Sequence, residues 1–151
     1  CIPPWDGWYK PLRKSRVAAV SVKGCGVDLV EIARIARALD RRGFQDKIYT
    51  PRERSFLEGR SPQSWAARFA AKEAVMKALG RGWQQGVPFA SIEIFSDALG
   101  QPQVRLLEPA GEIARQLGIS RFVLSLAHTK ELAIAYVIAL GGIGDESCDR
   151  S

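Results

Sequence analysis

Glu73 is the residue in this chain whose surroundings most clearly suggest chemistry. Phe69, Glu73 and Lys77 recur at i, i+4 and i+8, so on a helix they share one stripe, beside the apolar Trp65 and Met76. A carboxylate held there has two readings: an ordinary exposed Glu–Lys pair that adds a few tenths of a kcal/mol, or a metal ligand with a lysine beside it to meet a phosphate. Asp28 is equally two-sided. With Glu31 three residues later it has the form of a helix capping box, yet an aspartate where a strand gives way to a helix is also what a divalent cation uses. Magnesium is usually held by one or two carboxylates together with substrate phosphate oxygens and water, so Asp28 and Glu73 suffice if the fold makes them converge. Spacing alone does not decide that. Two weaker signals lie elsewhere. The segment GRGWQQGV after Gly80 would let backbone N–H groups approach a phosphate, although it lacks the GxxxxGK[ST] and GxGxxG spacings. The only histidine, His128, precedes Thr129 and Lys130, a set that suits either an anion or an ordinary surface turn.

The elements that must position these groups follow from periodicity. Residues 17–27 are rich in β-branched side chains and read as a strand; Ile32, Ile35, Ala36 and Leu39 then recur at helical spacing, with Arg34, Arg37 and Arg41 on the opposite face. Ser61-Pro62 announces the most clearly marked helix, which runs through SWAARFAAKEAVMKAL and stops at Gly80. A hairpin follows, SIEIFSD and QVRLL around Gly100, then a short helix from Pro109 to Leu117 closed by Gly118, and two strands, RFVLSLA and ELAIAYVIAL. This mixture predicts an α+β domain: a small, largely antiparallel sheet packed against a long helix. The predicted divisions are an irregular basic extension over residues 1–19, a domain over 20–140 and a flexible tail over 141–151.

At 151 residues, 46% hydrophobic and 25% charged, the chain suits one domain with a real core. No apolar run approaches the roughly 20 residues of a membrane helix. Three cysteines, odd in number and without CxxC spacing, point to a reducing, cytoplasmic setting. The net charge of +6 raises the question of nucleic acid, but residues 1–23 hold five basic residues and one acid, so four of the six charges sit in the extension. That distribution argues against specific nucleic-acid recognition by the body. It leaves one rival from another class, a polyanion-binding module that works through the basic arm with Trp5, Trp8 and Tyr9 and carries an inactive body. A different magnesium enzyme of nucleotide or diphosphate chemistry is a second rival.

Three separated segments, in order, add a resemblance. GCGVDLVEIARI is similar to GIGIDIVEIxRI, RFAAKEAVMKALGRGWQQGV to RFAAKEAxxKALGTG, and SLAHTKELAIAYV to SLSHTKEYAxAxV, all from the holo-acyl-carrier-protein synthase family, the small 4′-phosphopantetheinyl transferases. The resemblance spans roughly residues 22–140 and implies the fold of that family. It implies transfer of the phosphopantetheine arm of coenzyme A to a serine of an acyl carrier protein, for fatty-acid or polyketide synthesis, by a homotrimer with sites between protomers. Asp28 and Glu73 would be the magnesium ligands, and Glu73 and Lys77 the catalytic pair. Arg68, Lys72, Gly80, Gly82, His128 and Thr129 would hold coenzyme A, and Arg34, Arg37 and Arg41 would receive the acidic carrier. Two positions depart from the family. Ala127 replaces a serine, and Gln101 stands where a lysine is common in the hairpin.

Overall fold

Valines and leucines alternate with glycines and an aspartate along Val20–Glu31, and this stretch forms the first strand, β1. The computed structural model describes residues 19–142. The arm over 1–18 and the tail from 143 onward, with the polyanion-binding role considered for the arm, therefore lie outside the described residues. β1 runs four residues past its predicted end because β5 (Leu132–Gly142) pairs with it antiparallel as far as Glu31, opposite Leu132. β5 likewise extends two residues beyond the predicted domain end, since Gly141 and Gly142 pair with Ser21 and Val20. β4 (Arg121–His128) lies on the other side of β5, giving the order β1-β5-β4.

Helix α1 (Ile32–Leu39) buries Ile32, Ile35 and Ala38 and leaves Arg34 and Arg37 exposed; Arg41 is exposed just past its end. Two short helices come next, α2 (Phe44–Ile48) and α3 (Pro51–Leu57). The second starts in a full capping box, Thr50 with Glu53, and has proline at its first turn. The long helix α4 (Pro62–Leu79) begins after Ser61 and ends at Gly80, whose φ of 68° is the left-handed conformation that closes helices. A two-stranded sheet, β2 (Ile92–Ser96) with β3 (Pro102–Leu106), and α5 (Ala110–Gln116) complete the α+β architecture.

α4 is buried on nearly every side, by β1 and β5 on one flank and by α1 and the β2–β3 sheet on others. Its contact with β1 is between backbones. A Cβ at Gly24 or Gly26 would collide with the carbonyl oxygens of Ala78 and Ala74, so two glycines facing an alanine stripe permit the approach. The outward face of the three-stranded sheet is apolar, and among the described residues nothing covers it: Val27, Leu29, Val123, Ile134 and Tyr136 are each between 37% and 59% exposed.

Candidate functional site

The close approach of α4 to β1 brings the first and second sequence segments together. Asp28 lies inside β1, opposite Ala135 of β5, on the face turned toward α4. It does not start a helix, and the Asp28–Glu31 capping box expected from spacing is absent; Glu31 itself occupies the N-cap of α1 without a side-chain bond. The ladder with β5 keeps residues 28–31 extended, and this overrides the local capping signal.

Glu73 meets Asp28 across this contact. The Asp28 carboxylate is near enough for its charge to act on Glu73. Burial pushes the Glu73 carboxyl above the ordinary glutamate range, the Asp28 charge adds to the rise, and Lys77 and Arg34 oppose it. Lys77 does not pair with Glu73 along the helix. Its ammonium donates to Asp28 Oδ1 at 3.1 Å and to the Val27 carbonyl at 2.9 Å. Two facing carboxylates, with Lys77 between strand and helix and the Arg34 charge felt nearby, offer the oxygen donors that a hard divalent cation takes. Among the described residues no group of three or more His, Cys, Asp or Glu forms a larger cluster. Lys77 is about half exposed, and its surroundings leave the ammonium reachable from solvent.

The other residues fall into two sets. Arg68 is 7% exposed on another side of α4, and its Nε has no hydrogen-bond partner. Its guanidinium carbon sits 4.4 Å from the Phe56 ring centre, and that of Arg60 sits 3.9 Å from the same ring. Neither arginine has a carboxylate within 4 Å among the described residues. With Ser96, Gly100, Pro102 and the Leu124–Leu126 edge they line a cleft of about 410 Å³. Arg60 and Phe56 went unnoticed in the sequence, because they lie before the cap of α4 and only tertiary packing folds them onto Arg68. Gly100 and Pro102 at the cleft mouth flank Gln101, so the hairpin departure concerns this cleft. His128 ends β4 and is exposed; Thr129 Oγ1 accepts from the N–H groups of Glu131 and Leu132, which leaves its proton free to donate.

Three expectations change. Lys72 is fully buried, and its ammonium is consumed by the Glu53 carboxylate at 2.6 Å and the carbonyls of Ile48 and Phe89, so it offers nothing to a cofactor. The Gly80 N–H is bonded to the Lys77 carbonyl at the end of α4, so in this conformation it does not present itself to a phosphate. The Gly82 N–H is held by Gln85 Oε1 at 2.8 Å, and opens only if that exposed side chain swings away.

The Asp28–Glu73–Lys77 cluster belongs to the β1 edge of the sheet and the arginine cleft to the β4 edge, with β5 between them and α4 across the inner face. The sequence profile of the 4′-phosphopantetheinyl transferase superfamily matches residues 24–137. A holo-acyl-carrier-protein synthase of Solibacter usitatus is 42% identical over 121 residues, which cover 78% of this chain and 97% of that one. Among solved structures, the holo-acyl-carrier-protein synthase of Neisseria meningitidis superposes with a TM-score of 0.72 at 35% identity, covering 79% of this chain and 98% of that one. The Bacillus anthracis protein, solved in complex with CoA (3′,5′-ADP), superposes with a TM-score of 0.68 at 33% identity and covers 82% and 100%.

Proposed function

The chain belongs to the 4′-phosphopantetheinyl transferase superfamily, and from that membership we propose that it transfers the phosphopantetheine arm of coenzyme A to a serine of an apo acyl carrier protein. The products are the loaded carrier and adenosine 3′,5′-bisphosphate. The observation that carries this reading is the meeting of Asp28 with Glu73 and Lys77, three groups from two distant segments that share one reachable corner.

The serine oxygen attacks the β-phosphorus of coenzyme A and the bond to the α-phosphate side breaks, so negative charge moves toward the departing nucleotide. Asp28 and Glu73 would hold magnesium, which when bound would supply charge neutralisation at the diphosphate. Lys77, fixed by the Val27 carbonyl and Asp28, adds an N–H donor at the same place. The serine proton would pass to a metal-bound water or to a carboxylate such as Glu73. Arg68 and Arg60 suit the nucleotide phosphates: among the described residues neither is paired to an acid, and burial gives the Arg68 charge a reach that water would otherwise screen, with Arg60 exposed at the cleft beside it. His128 and the free Thr129 proton suit the same end of the molecule.

The active assembly is a homotrimer in which the β1 edge of one protomer faces the β4 edge of the next. Two observations support it: the uncovered apolar sheet face, and the placement of the two halves of the site at opposite edges of one sheet. Arg34, Arg37 and Arg41 receive the acidic carrier, and Arg34 stands near enough to Glu73 for its charge to be felt there. No described helix is long and apolar enough to cross a membrane. Free Cys25 suits a reducing cytoplasm, where the enzyme would load carriers for fatty-acid synthesis. Incubation with coenzyme A, magnesium and an apo carrier, followed by intact mass, tests the function; no phosphopantetheine adduct on any carrier tried would refute it.

A further inference from the structure

Lys72 sits one residue before Glu73, in the middle of α4, with no exposed surface. Its ammonium donates in three directions to three different segments: to the Ile48 carbonyl at 2.7 Å, to Glu53 Oε2 of α3 at 2.6 Å, and to the Phe89 carbonyl at 3.1 Å. Three protons, three acceptors: nothing is left to reach a substrate. Glu53 is just as fully used. Its Oε2 also accepts from the Thr50 N–H and its Oε1 from the Ile94 N–H, both at 2.8 Å, which ties α3 to β2. Thr50 Oγ1 in turn donates to Glu93, which Arg105 neutralises from β3 at 2.7 Å.

Stability alone is a poor reason to keep such a pair, since apolar residues of similar volume usually hold a fold as well or better. The geometry of α4 offers another. The helix meets β1 through Ala74 and Ala78 against Gly24 and Gly26, a contact without projecting side chains. It sets how near the helix lies, while how it is turned is left to the side chains that α4 buries on its other faces, Lys72 among them. Yet turning matters, because a rotation of roughly 20° moves a carboxylate carried about 5–6 Å from the axis by about 2 Å, while metal–oxygen distances tolerate only about 0.2 Å.

We propose that the buried Lys72–Glu53 pair is a positioning device that fixes the rotation and register of α4 so that Glu73 faces Asp28, and that Lys72 does not touch coenzyme A. This rests on the reading of Asp28 and Glu73 as the metal ligands. The test compares the unsubstituted full chain with Glu53→Gln/Lys72→Met, which removes both charges together and leaves neither one buried alone. Three quantities are measured: the thermal midpoint, the affinity for Mn²⁺ alone by EPR titration, and kcat with KM for coenzyme A. The double variant should melt within roughly 5 °C of its parent, bind Mn²⁺ about 10-fold or more weakly, and lose about 10-fold or more in kcat with KM changed less than about 2-fold. Parental Mn²⁺ affinity and kcat would show that the pair serves only the fold and would overturn the proposal. So would a raised KM at constant kcat, which would put Lys72 on coenzyme A. If the double variant does not fold, Glu53→Asp, which keeps both charges and only shortens the reach to Lys72, carries the same comparison, with an expected loss of about 3-fold in Mn²⁺ affinity and kcat. A parent that binds Mn²⁺ yet loads no carrier would refute the transferase reading while the Mn²⁺ comparison still decides the positioning claim; a parent that binds no Mn²⁺ would overturn that claim as well.

Discussion

Glu73 shows how a single side chain acquires a role that its neighbours in sequence do not specify. Read along the helix, it is one half of a Glu–Lys pair, and its loss should cost about 0.5 kcal/mol or less. Packed against β1, it faces a second carboxylate instead, and Lys77 is engaged by the strand. Glu73→Gln should therefore leave urea unfolding close to the parent while turnover drops about 10³-fold, the rate equivalent of about 4 kcal/mol. Partial recovery at high magnesium is expected, since a weakened site still fills by mass action. Near-normal turnover by the folded variant at limiting magnesium would remove Glu73 from the metal site. The types and spacing of these residues raised the question, but only the non-local pairing of α4 with β1 answers it. Lys72 shows the same limit from the other side: adjacent to Glu73 in the same segment, it is drawn into the interior by acceptors from three segments that no helical period links to it.

At the scale of elements, punctuation was readable and placement was not. Ser61-Pro62 and Gly80 mark the ends of α4 within a residue, because caps are local chemistry. Thr50-Pro51-Arg52-Glu53 is an equally local signal for α3, masked by the short length of the helix it opens. β1 outran its β-branched stretch because a partner strand, distant in sequence, holds residues 28–31 extended. The glycines of β1 are the clearest case, since they look like weak points in a strand and are in fact where a helix seats. Gly26→Ala should lower stability by about 1–3 kcal/mol in denaturant titration, because the added carbon meets a carbonyl that cannot move without shifting α4. A parental unfolding midpoint would contradict that packing. On α1, Arg37 is the cleaner probe of the proposed carrier surface, since the charge of Arg34 reaches Glu73. Arg37→Glu should lower kcat/KM for the carrier about 10-fold at low salt, leave KM for coenzyme A unchanged, and lose most of its effect as salt rises. A matching loss for coenzyme A would move Arg37 into the nucleotide site.

For the whole molecule the question is whether one chain can complete its own site. Asp28, Glu73 and Lys77 occupy one edge of the sheet, Arg68, Arg60 and His128 the other, and α4 with β5 stands between. Neighbouring copies joining edge to edge would unite the halves and cover Val27, Leu29, Ile134 and Tyr136 at the same time. Mixing is a direct check. Glu73→Gln and Arg68→Ala proteins, each nearly inactive alone, should regain activity when unfolded and refolded together. Random assembly pairs an intact β1 edge with an intact β4 edge in about a quarter of sites. No recovery despite mixed assembly would place each site within one chain.

The seat of α4 on β1 has a consequence for how this protein can change over generations. Where two side chains touch, enlargement of one can be answered by shrinkage of the other, and lineages drift through such exchanges. At Gly24 and Gly26 the opposing atoms are peptide oxygens, which every amino acid carries alike. No substitution at Ala74 or Ala78 can make room. A search for second mutations that restore a Gly26→Ala strain should return reversion at the codon itself, and these two positions should behave as fixed points around which the rest of the sequence is free to vary.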